Sequence, residues 1–176
     1  MKTLQTLLFV TYFCLIMIIL GGTIFAVMVE YPNWFASVPS SLEATRSFYK
    51  VLHPGYFFQI FGPLSLVAGI AFAVAGWRLN GARNLVLISI LIFVAIELLT
   101  FLYIYPRLGI MFGPEAASQA TDSLQRAAAE FTAADRIRTA LTFVAGAFSI
   151  AALFRFFRYQ YSNEFRRRTD TEARLS

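Results

Sequence analysis

Four long apolar runs constrain the fold of this chain more than any other feature. They cover approximately residues 4–29, 55–77, 85–106 and 138–157. Each run reaches the roughly 20 residues that a helix needs to cross about 30 Å of hydrocarbon. In lipid, backbone groups must be hydrogen-bonded inside each segment, and the runs lack the alternation typical of barrel strands. The sequence therefore predicts an all-α, polytopic membrane protein with a four-transmembrane-helix bundle.

The composition favours the same class. Of 176 residues, 58% are hydrophobic and 14% are charged, and the mean hydropathy is +0.63. Soluble domains contain about 45–50% apolar and about 25% charged residues. The lipid bilayer is therefore the expected surrounding of the chain. The first run is longer than the apolar part of a signal peptide, and no A-x-A-like site follows it, so we predict a retained helix.

The distribution of positive charge predicts the orientation. With four spans both termini lie on one side, and that side carries nine of the 15 lysines and arginines. The positive-inside rule then places both termini in the cytoplasm of an inner or plasma membrane. Residues 1–158 form the transmembrane domain, and residues 159–176 form a basic, polar cytoplasmic tail without predicted fixed structure. Because Arg166–Arg168 lie next to a span, their cluster indicates anionic lipid and not nucleic acid.

The fourth helix is predicted to begin outside the bilayer. Gly113 and Pro114 interrupt the chain after the third span, and an alanine-rich stretch follows. Within it Leu124, Ala128 and Phe131 recur at spacings of three and four, as on one face of a helix. We therefore expect this extension to pack on protein and cover the mouth of the bundle.

Glu97 lies in the middle of the third run, in "LIFVAIELLTFLYIYPR". A charged carboxylate there costs about 2.5 kcal/mol or more unless it is paired, neutralised or in contact with water. We therefore expect Glu97 to face the bundle interior, with Thr100 and Phe101, three and four residues later, as candidate ligand contacts. Two interpretations remain open: a catalytic or ligand-anchoring acid, or a protonated structural carboxyl bonded to a neighbouring helix.

His53 is the only histidine and precedes the second span. Since Pro54 disfavours helical dihedrals at His53, the helix should begin after it. Its ordinary pKa near neutrality makes it a second candidate catalytic group, the alternative being an interfacial residue that bonds water or a headgroup. Gln59, deeper in the span, needs a hydrogen-bond partner and is a candidate ligand contact.

Three arginines lie at the outer ends of the third and fourth spans: Arg107, Arg136 and Arg138. One interpretation makes them interface anchors whose charged ends reach water. The other is that one of them, Arg107 in particular, reaches inward and forms a polar mouth above Glu97 together with His53. At about 1.5 Å per residue Arg107 lies roughly 15 Å above Glu97, so a direct bridge between them is disfavoured.

No metal or cofactor is predicted. A zinc site of the usual Cys/His type needs four ligands, and the chain has one histidine and one cysteine, Cys14. The same count excludes a haem held by two histidines of one chain and an intramolecular disulfide.

Three stretches carry a resemblance to a known family: "GGTIFAVMVEYPNWF", "RSFYKVLHPGYFFQIFGPLSLVAGIAF" and "YIYPRLGIMFG". Over about Gly21–Gly113 the chain resembles the anthrone-oxygenase-like family of small four-span membrane proteins. Here "HPGYFF" stands where an asparagine-proline step is expected. The resemblance implies that some relatives oxidise polycyclic phenols with oxygen and no obvious cofactor. Such chemistry requires a base, for which Glu97 and His53 are the candidates.

Two functions are therefore predicted as alternatives. The first is an integral membrane protein that binds, or oxidises, a small apolar or aromatic molecule in an intramembrane pocket beside Glu97. The second is a non-catalytic bundle that packs against another copy or another membrane protein through small residues such as Gly21 and Gly22. Whether the protein is an enzyme is left open at this point.

Overall fold

A computed structural model describes the backbone of residues 2–175 and the side chains of residues 3–162. The helices are α1 (Lys2–Phe25), α2 (Tyr31–Trp34), α3 (Ser40–Phe48), α4 (Gly55–Ala75), α5 (Asn80–Leu99), α6 (Tyr105–Phe112) and α7 (Thr121–Leu175). A π turn, Ala26–Glu30, joins α1 to α2, and a second one, Thr100–Ile104, joins α5 to α6. The described backbone contains no strand, which confirms the predicted all-α class.

Four helical stretches are long and apolar enough to cross a membrane: Thr3–Trp34, Gly55–Ala75, Asn80–Phe112 and Thr121–Ser162. The predicted four-span bundle and the extended fourth helix are confirmed. The first and third stretches run past their predicted ends at residues 29 and 106, because the chain stays helical beyond each proline. The second span begins after His53, as expected.

The two π turns explain how the helices pass these prolines. Tyr31 donates its backbone N–H to the carbonyl of Ala26, five residues earlier, immediately before Pro32. Thr100–Ile104 repeats this pattern before Pro106. A proline has no N–H, and its ring clashes with the carbonyl four residues earlier, so one extra residue in the turn relieves the conflict. Such π turns are rare and occur frequently at functional sites.

The bundle core is the buried apolar cluster between α1, α4, α5 and α7. The rings of Phe9 and Phe156 stack with their centroids 4.6 Å apart. They lie near the end of the bundle at which the N-terminus and the end of the C-terminal helix are found. Its buried polar groups include hydroxyls that join three helices: Ser149 lies 3.0 Å from the Tyr12 hydroxyl and 3.1 Å from that of Ser89. These contacts satisfy each hydroxyl without water.

A second buried cluster, the cap core, lies at the opposite end of the bundle. It is formed by α2, α3, α6 and the first turns of α7, and contains Trp34, Leu42, Ile104, Met111, Leu124, Ala127, Ala128, Phe131 and Ala134. The predicted stripe of Leu124, Ala128 and Phe131 is fully inside it. The start of α7 therefore covers the bundle as expected.

The backbone of α7 continues as a helix to Leu175. The prediction that the tail lacks fixed structure is therefore wrong for its backbone. The side chains of Arg166–Arg168 are not among those that the structure describes. Arg155 and Arg158, earlier on α7, are described and exposed.

Candidate functional site

The two π turns bring polar residues together between the bundle core and the cap core. Glu30 ends the first π turn and Tyr31 follows it, while Thr100 begins the second and Tyr105 follows that one. All four line a cavity of about 30 Å³, together with Arg138 of α7. A cavity of this size has room for about one water molecule. The chain thus brings several polar side chains to a small, mostly apolar cavity beneath the cap.

Glu97 lines a second cavity of about 30 Å³. The residues that line both cavities are Phe58, Thr100, Tyr105 and Arg138. The Glu97 carboxyl packs against α4, since its Oε1 lies 2.6 Å from the position that a Cβ on Gly62 would take. Glu97 is half-buried and faces the interior as predicted, while its catalytic role stays a prediction. We call the two cavities together the polar centre.

Arg138 is the arginine that reaches inward. Its side chain is only 12% exposed and forms an ion pair with Asp135, one turn earlier on α7. It also donates a hydrogen bond of 2.7 Å to the Tyr31 hydroxyl, and its guanidinium lies 5.6 Å from the centre of the Phe58 ring. A buried charge needs such partners, and they fix the cation in the wall of both cavities.

Arg107 lies elsewhere, on the partly exposed side of the cap. Its Nε donates to Glu130 of α7 at 2.9 Å, and its guanidinium lies 3.6 Å from the centre of the Tyr103 ring. These contacts fit the interpretation of Arg107 as an anchor. The structure does not bring it to Glu97 or His53, and the arginine that shares a cavity with each of them is Arg138.

His53 lies in an aromatic box under the cap. Its ring centre is 5.4 Å from that of Trp34, 5.9 Å from Tyr49 and 5.3 Å from Phe112. Its Nδ1 accepts the backbone N–H of Gly55 at 3.1 Å, so the neutral ring carries its proton on Nε2. That Nε2 is buried and has no hydrogen-bond partner among the described residues. Burial lowers the pKa of His53, which favours this neutral form.

Three cavities meet at His53. One is the small cavity of the polar centre that also contains Arg138. The second, of about 420 Å³, opens between α3, α4 and α6 and is lined by Gln59, Tyr49 and Arg46 among others; we call it the mouth. The third is an apolar groove of about 850 Å³ along α1 and α4, which we call the lateral groove. His53 therefore lines the mouth, the lateral groove and the polar centre, while its Nε2 is itself buried.

The lateral groove has an apolar length and a polar end. Its length is lined by Met17, Ile18, Gly21, Gly22, Phe25, Phe57, Ile60 and Phe61. At its end the Tyr49 hydroxyl donates to Glu30 Oε1 at 2.8 Å, beside His53. Burial and this bond to a carboxylate raise the pKa of Tyr49 to about 12, so its hydroxyl stays protonated. An elongated apolar molecule with one polar end matches this arrangement.

Of the six candidate site residues, four surround these cavities: Glu97, His53, Thr100 and Gln59. Thr100 also donates its hydroxyl to the carbonyl of Ile96. Phe101 is 62% exposed and packs its ring on Tyr105, facing away from the polar centre. The structure therefore does not bring Phe101, or Arg107, to the site.

Several residues in or beside the polar centre were not predicted as site residues. Glu30, Tyr31 and Tyr105 line it, while Tyr49 and Asp135 are hydrogen-bonded to Glu30 and Tyr31. The sequence contains two signals for them. One is the Tyr-Pro pair at the end of both the first and the third span. The other is the pair of opposite charges three residues apart on the fourth helix, a spacing that lets side chains meet.

The fold and this centre define a four-span integral membrane protein with polar cavities between a lipid-embedded core and a helical cap. Within the described part of the chain, no three His, Cys, Asp or Glu side chains lie together as metal ligands would. The chain matches no protein-family model, no curated protein and no solved structure. Membership of the anthrone-oxygenase-like family therefore stays a hypothesis.

Proposed function

We propose that the protein binds a small apolar or aromatic molecule in the lateral groove, with an oxygen of that molecule accepting a hydrogen bond from His53. The buried, unpartnered Nε2 of His53 is the observation that carries this proposal. Buried polar groups in folded proteins nearly always have a partner, so a buried donor without one, on a residue that lines the groove, supports a bound acceptor. A carbonyl or phenolic oxygen supplies the acceptor that Nε2 lacks.

The dimensions of the groove support the proposal. Its volume of about 850 Å³ lies in the range of about 300–1,000 Å³ typical of small-molecule sites. Its apolar walls face the side of the bundle, where a molecule dissolved in lipid would arrive. Near Gly21 the groove is open, because a Cβ added there would have no neighbour within 4 Å.

The acid–base part of the proposal assigns Glu97 the role of a base. Phe58 lines both the lateral groove and the Glu97 cavity, so the two share a wall residue. Oxidation of a phenolic molecule by oxygen begins with removal of a proton, which a carboxylate in a water-poor site can accept. His53 remains the second candidate, but its free nitrogen carries a proton in the tautomer described above. Arg138 lines the same cavity as Glu97.

The first test identifies the occupant. Purified full-length protein is extracted with organic solvent, and the released molecules are identified by mass spectrometry. We expect an apolar or aromatic compound at near-stoichiometric amount in the native protein. Replacing Gly21 with leucine fills the groove and should remove the compound. Gly109→Leu is the matched control, since Gly109 lines the mouth and a Cβ there also has no neighbour within 4 Å.

The variants also separate the alternatives. Loss of the compound in Gly109→Leu but not in Gly21→Leu would move the site to the mouth. His53→Phe keeps the aromatic packing and removes the donor, so retention of the compound at native level contradicts the assigned hydrogen bond. Copurification of a stoichiometric protein, with no small molecule, favours a bundle that packs against a partner.

Glu97→Gln tests the acid–base role. Glutamine keeps the shape and hydrogen bonding of the side chain and removes its titration. If the folded variant binds the compound but no longer converts it, the role of Glu97 as base is supported. If conversion persists across the pH range, Glu97 is structural.

We also propose that both termini lie in the cytoplasm, as the distribution of arginines favours. Single cysteines at positions 40 and 81 in a Cys14→Ser background report the two sides, because Ser40 and Gly81 are both exposed. Labelling of intact cells by an impermeant reagent should reach position 40 and not position 81. The reverse pattern would overturn this orientation.

A further inference from the structure

A cavity of about 370 Å³ opens at the end of the bundle that carries both termini. One wall is the turn between α4 and α5, and the other is α7 near its last described side chains. Its polar lining includes Arg78, Asn80, Arg155, Arg158, Tyr159 and Ser162. We call it the tail-end cavity. It lies at the opposite end of the bundle from His53 and Glu97 and belongs to none of the cavities described above.

The three arginines of the tail-end cavity have no counter-ion within residues 3–162. No carboxylate is among the described residues that line the cavity, and the two ion pairs of the described side chains lie near the cap. Arg83, only one turn away, differs: it donates to the Trp77 carbonyl at 2.7 Å and lies over the Trp77 ring. Three like charges line one cavity without an acid among its described residues, so an anion there would lower their mutual repulsion.

The backbone adds further donors to the same cavity. The 20-residue helix α5 begins there at Asn80, and no side chain caps its N-terminus. The first N–H groups of a helix have no partner within it and carry partial positive charge. Arg155 passes beside Gly81, with its Cδ 3.9 Å from the position of a Cβ on that glycine. Guanidinium groups and free N–H groups together match the oxygens of a phosphate.

The surroundings indicate where that phosphate comes from. Large apolar side chains flank the arginines and are exposed: Trp77, Phe154 and Phe157. Such residues at the end of a span contact acyl chains, whereas a free phosphate would have no use for them. We propose that the tail-end cavity binds the phosphate group of an anionic membrane lipid, whose acyl chains lie along these residues. Basic pockets between spans are known to bind lipid headgroups in this way.

The experiment titrates the full-length protein in detergent with phosphatidylglycerol and measures its melting temperature. Phosphatidylcholine, whose phosphate is neutralised by choline, supplies the baseline. We expect phosphatidylglycerol to raise the melting temperature of the native protein. The triple variant Arg78→Gln, Arg155→Gln, Arg158→Gln should need at least about tenfold more lipid for the same rise.

The matched control removes the same charge near the same end of the chain: Arg166→Gln, Arg167→Gln, Arg168→Gln. This control should keep most of the native response to phosphatidylglycerol and lose only the diffuse attraction that Arg166–Arg168 contribute. An equal loss of response in both triple variants would show diffuse attraction and overturn the proposal. If the cavity variant does not fold, native mass spectrometry of the native protein decides, since bound phosphatidylglycerol must exceed bound phosphatidylcholine.

A second arm replaces the lipid by inorganic phosphate, with chloride at equal ionic strength as the reference. We expect no rise of the melting temperature with phosphate at concentrations where the lipid saturates. If phosphate raises the melting temperature as much as the lipid does, and the cavity variant loses this rise, the lipid proposal is overturned and the cavity is a site for free phosphate. No rise with either compound overturns the proposal entirely, while the lateral groove proposal is unaffected.

Discussion

The bundle core and the cap core are two clusters of similar apolar character that differ in their polar contents. The bundle core contains the hydroxyl cluster of Tyr12, Ser89 and Ser149. A buried ion pair lies at the base of the cap core, where Arg138 meets Asp135. The difference teaches that the buried charges of the described residues lie at the junction of the two cores, where both π turns occur. A molecule in the proposed lateral groove would meet these charges without crossing the bundle core.

The largest expected effect comes from removing one buried ring from the cap core. Phe131 of the cap core and Phe156 of the bundle core are both almost fully buried. Phe131→Ala should lower the free energy of unfolding by about 3–5 kcal/mol. The buried ring stabilises the cap core because unfolding would expose it to water, and alanine removes that ring. Phe156→Ala should lower it less, because an unfolded bundle helix remains in lipid and only packing is lost.

Reversible unfolding in mixed micelles, followed by circular dichroism, measures both variants. Equal losses would mean that the cap core lies in lipid as well. That result would break the distinction between the two clusters.

The second prediction compares two ion pairs on α7. Asp135→Asn leaves Arg138 buried without its carboxylate and should cost about 3–5 kcal/mol. Glu130→Gln removes the partner of Arg107, whose pair is partly exposed, and should cost at most about 1 kcal/mol. The same unfolding measurement applies.

A double variant sharpens this prediction. Adding Arg138→Met to Asp135→Asn removes the unpaired charge and should recover most of the lost stability. If the double variant is no more stable than Asp135→Asn alone, the cost does not come from the unpaired arginine.

Hydroxyl groups test the comparison at a smaller scale. Ser149→Ala breaks the bonds to Tyr12 and Ser89 in the bundle core, each worth about 0.6 kcal/mol on average within a membrane. Ser41→Ala removes two bonds in the cap, one donated to the Trp34 carbonyl at 2.7 Å and one accepted from the exposed Ser37 N–H at 3.3 Å, and should cost about 1 kcal/mol. Losses above about 3 kcal/mol for Ser149→Ala would contradict a weak hydroxyl cluster.

The smallest expected effect is the pH dependence that His53 contributes. Burial lowers its pKa in the folded state below the ordinary value of 6.5, so at pH below 6.5 the unfolded chain binds a proton that the folded chain does not. This contribution to stability is therefore complete above pH 6.5 and is lost as the pH falls through the lowered folded value. Arg138 lines the same cavity but stays charged throughout, so a remaining dependence from this cavity reports on Glu30.

His53→Phe removes the titration and keeps an aromatic ring. The difference in melting temperature between pH 7.5 and pH 5.5 should be smaller in this variant than in the native protein. An unchanged difference would show that His53 titrates equally in the folded and unfolded states.

The sequence predicts those features that follow from apolar length and helical spacing. The four spans, the interior position of Glu97 and the buried stripe of Leu124 and Phe131 belong to this group. Each depends on a period or a length that a single segment contains. The ends of the first and third spans cannot be predicted in this way. A proline can end a helix, or the helix can continue past it through a π turn, and packing decides between the two.

The choice between Arg107 and Arg138 also escapes the sequence. Both arginines lie at the same end of a span, and either could serve as an anchor. Arg138 points inward because Asp135 and Tyr31 accept its hydrogen bonds there, and Tyr31 comes from a helix more than 100 positions away in the chain. Contacts between distant segments are three-dimensional information that spacing within one helix does not contain.

The placement of the two tryptophans has a practical consequence for spectroscopy. Trp34 is buried in the cap core with its ring 5.4 Å from that of His53, whereas Trp77 is 67% exposed beneath the Arg83 guanidinium. The intrinsic fluorescence of the protein therefore contains emission from two tryptophans in surroundings of different polarity, one at each end of the bundle. In a Trp77→Phe background the remaining emission reports the aromatic box alone, without any attached label.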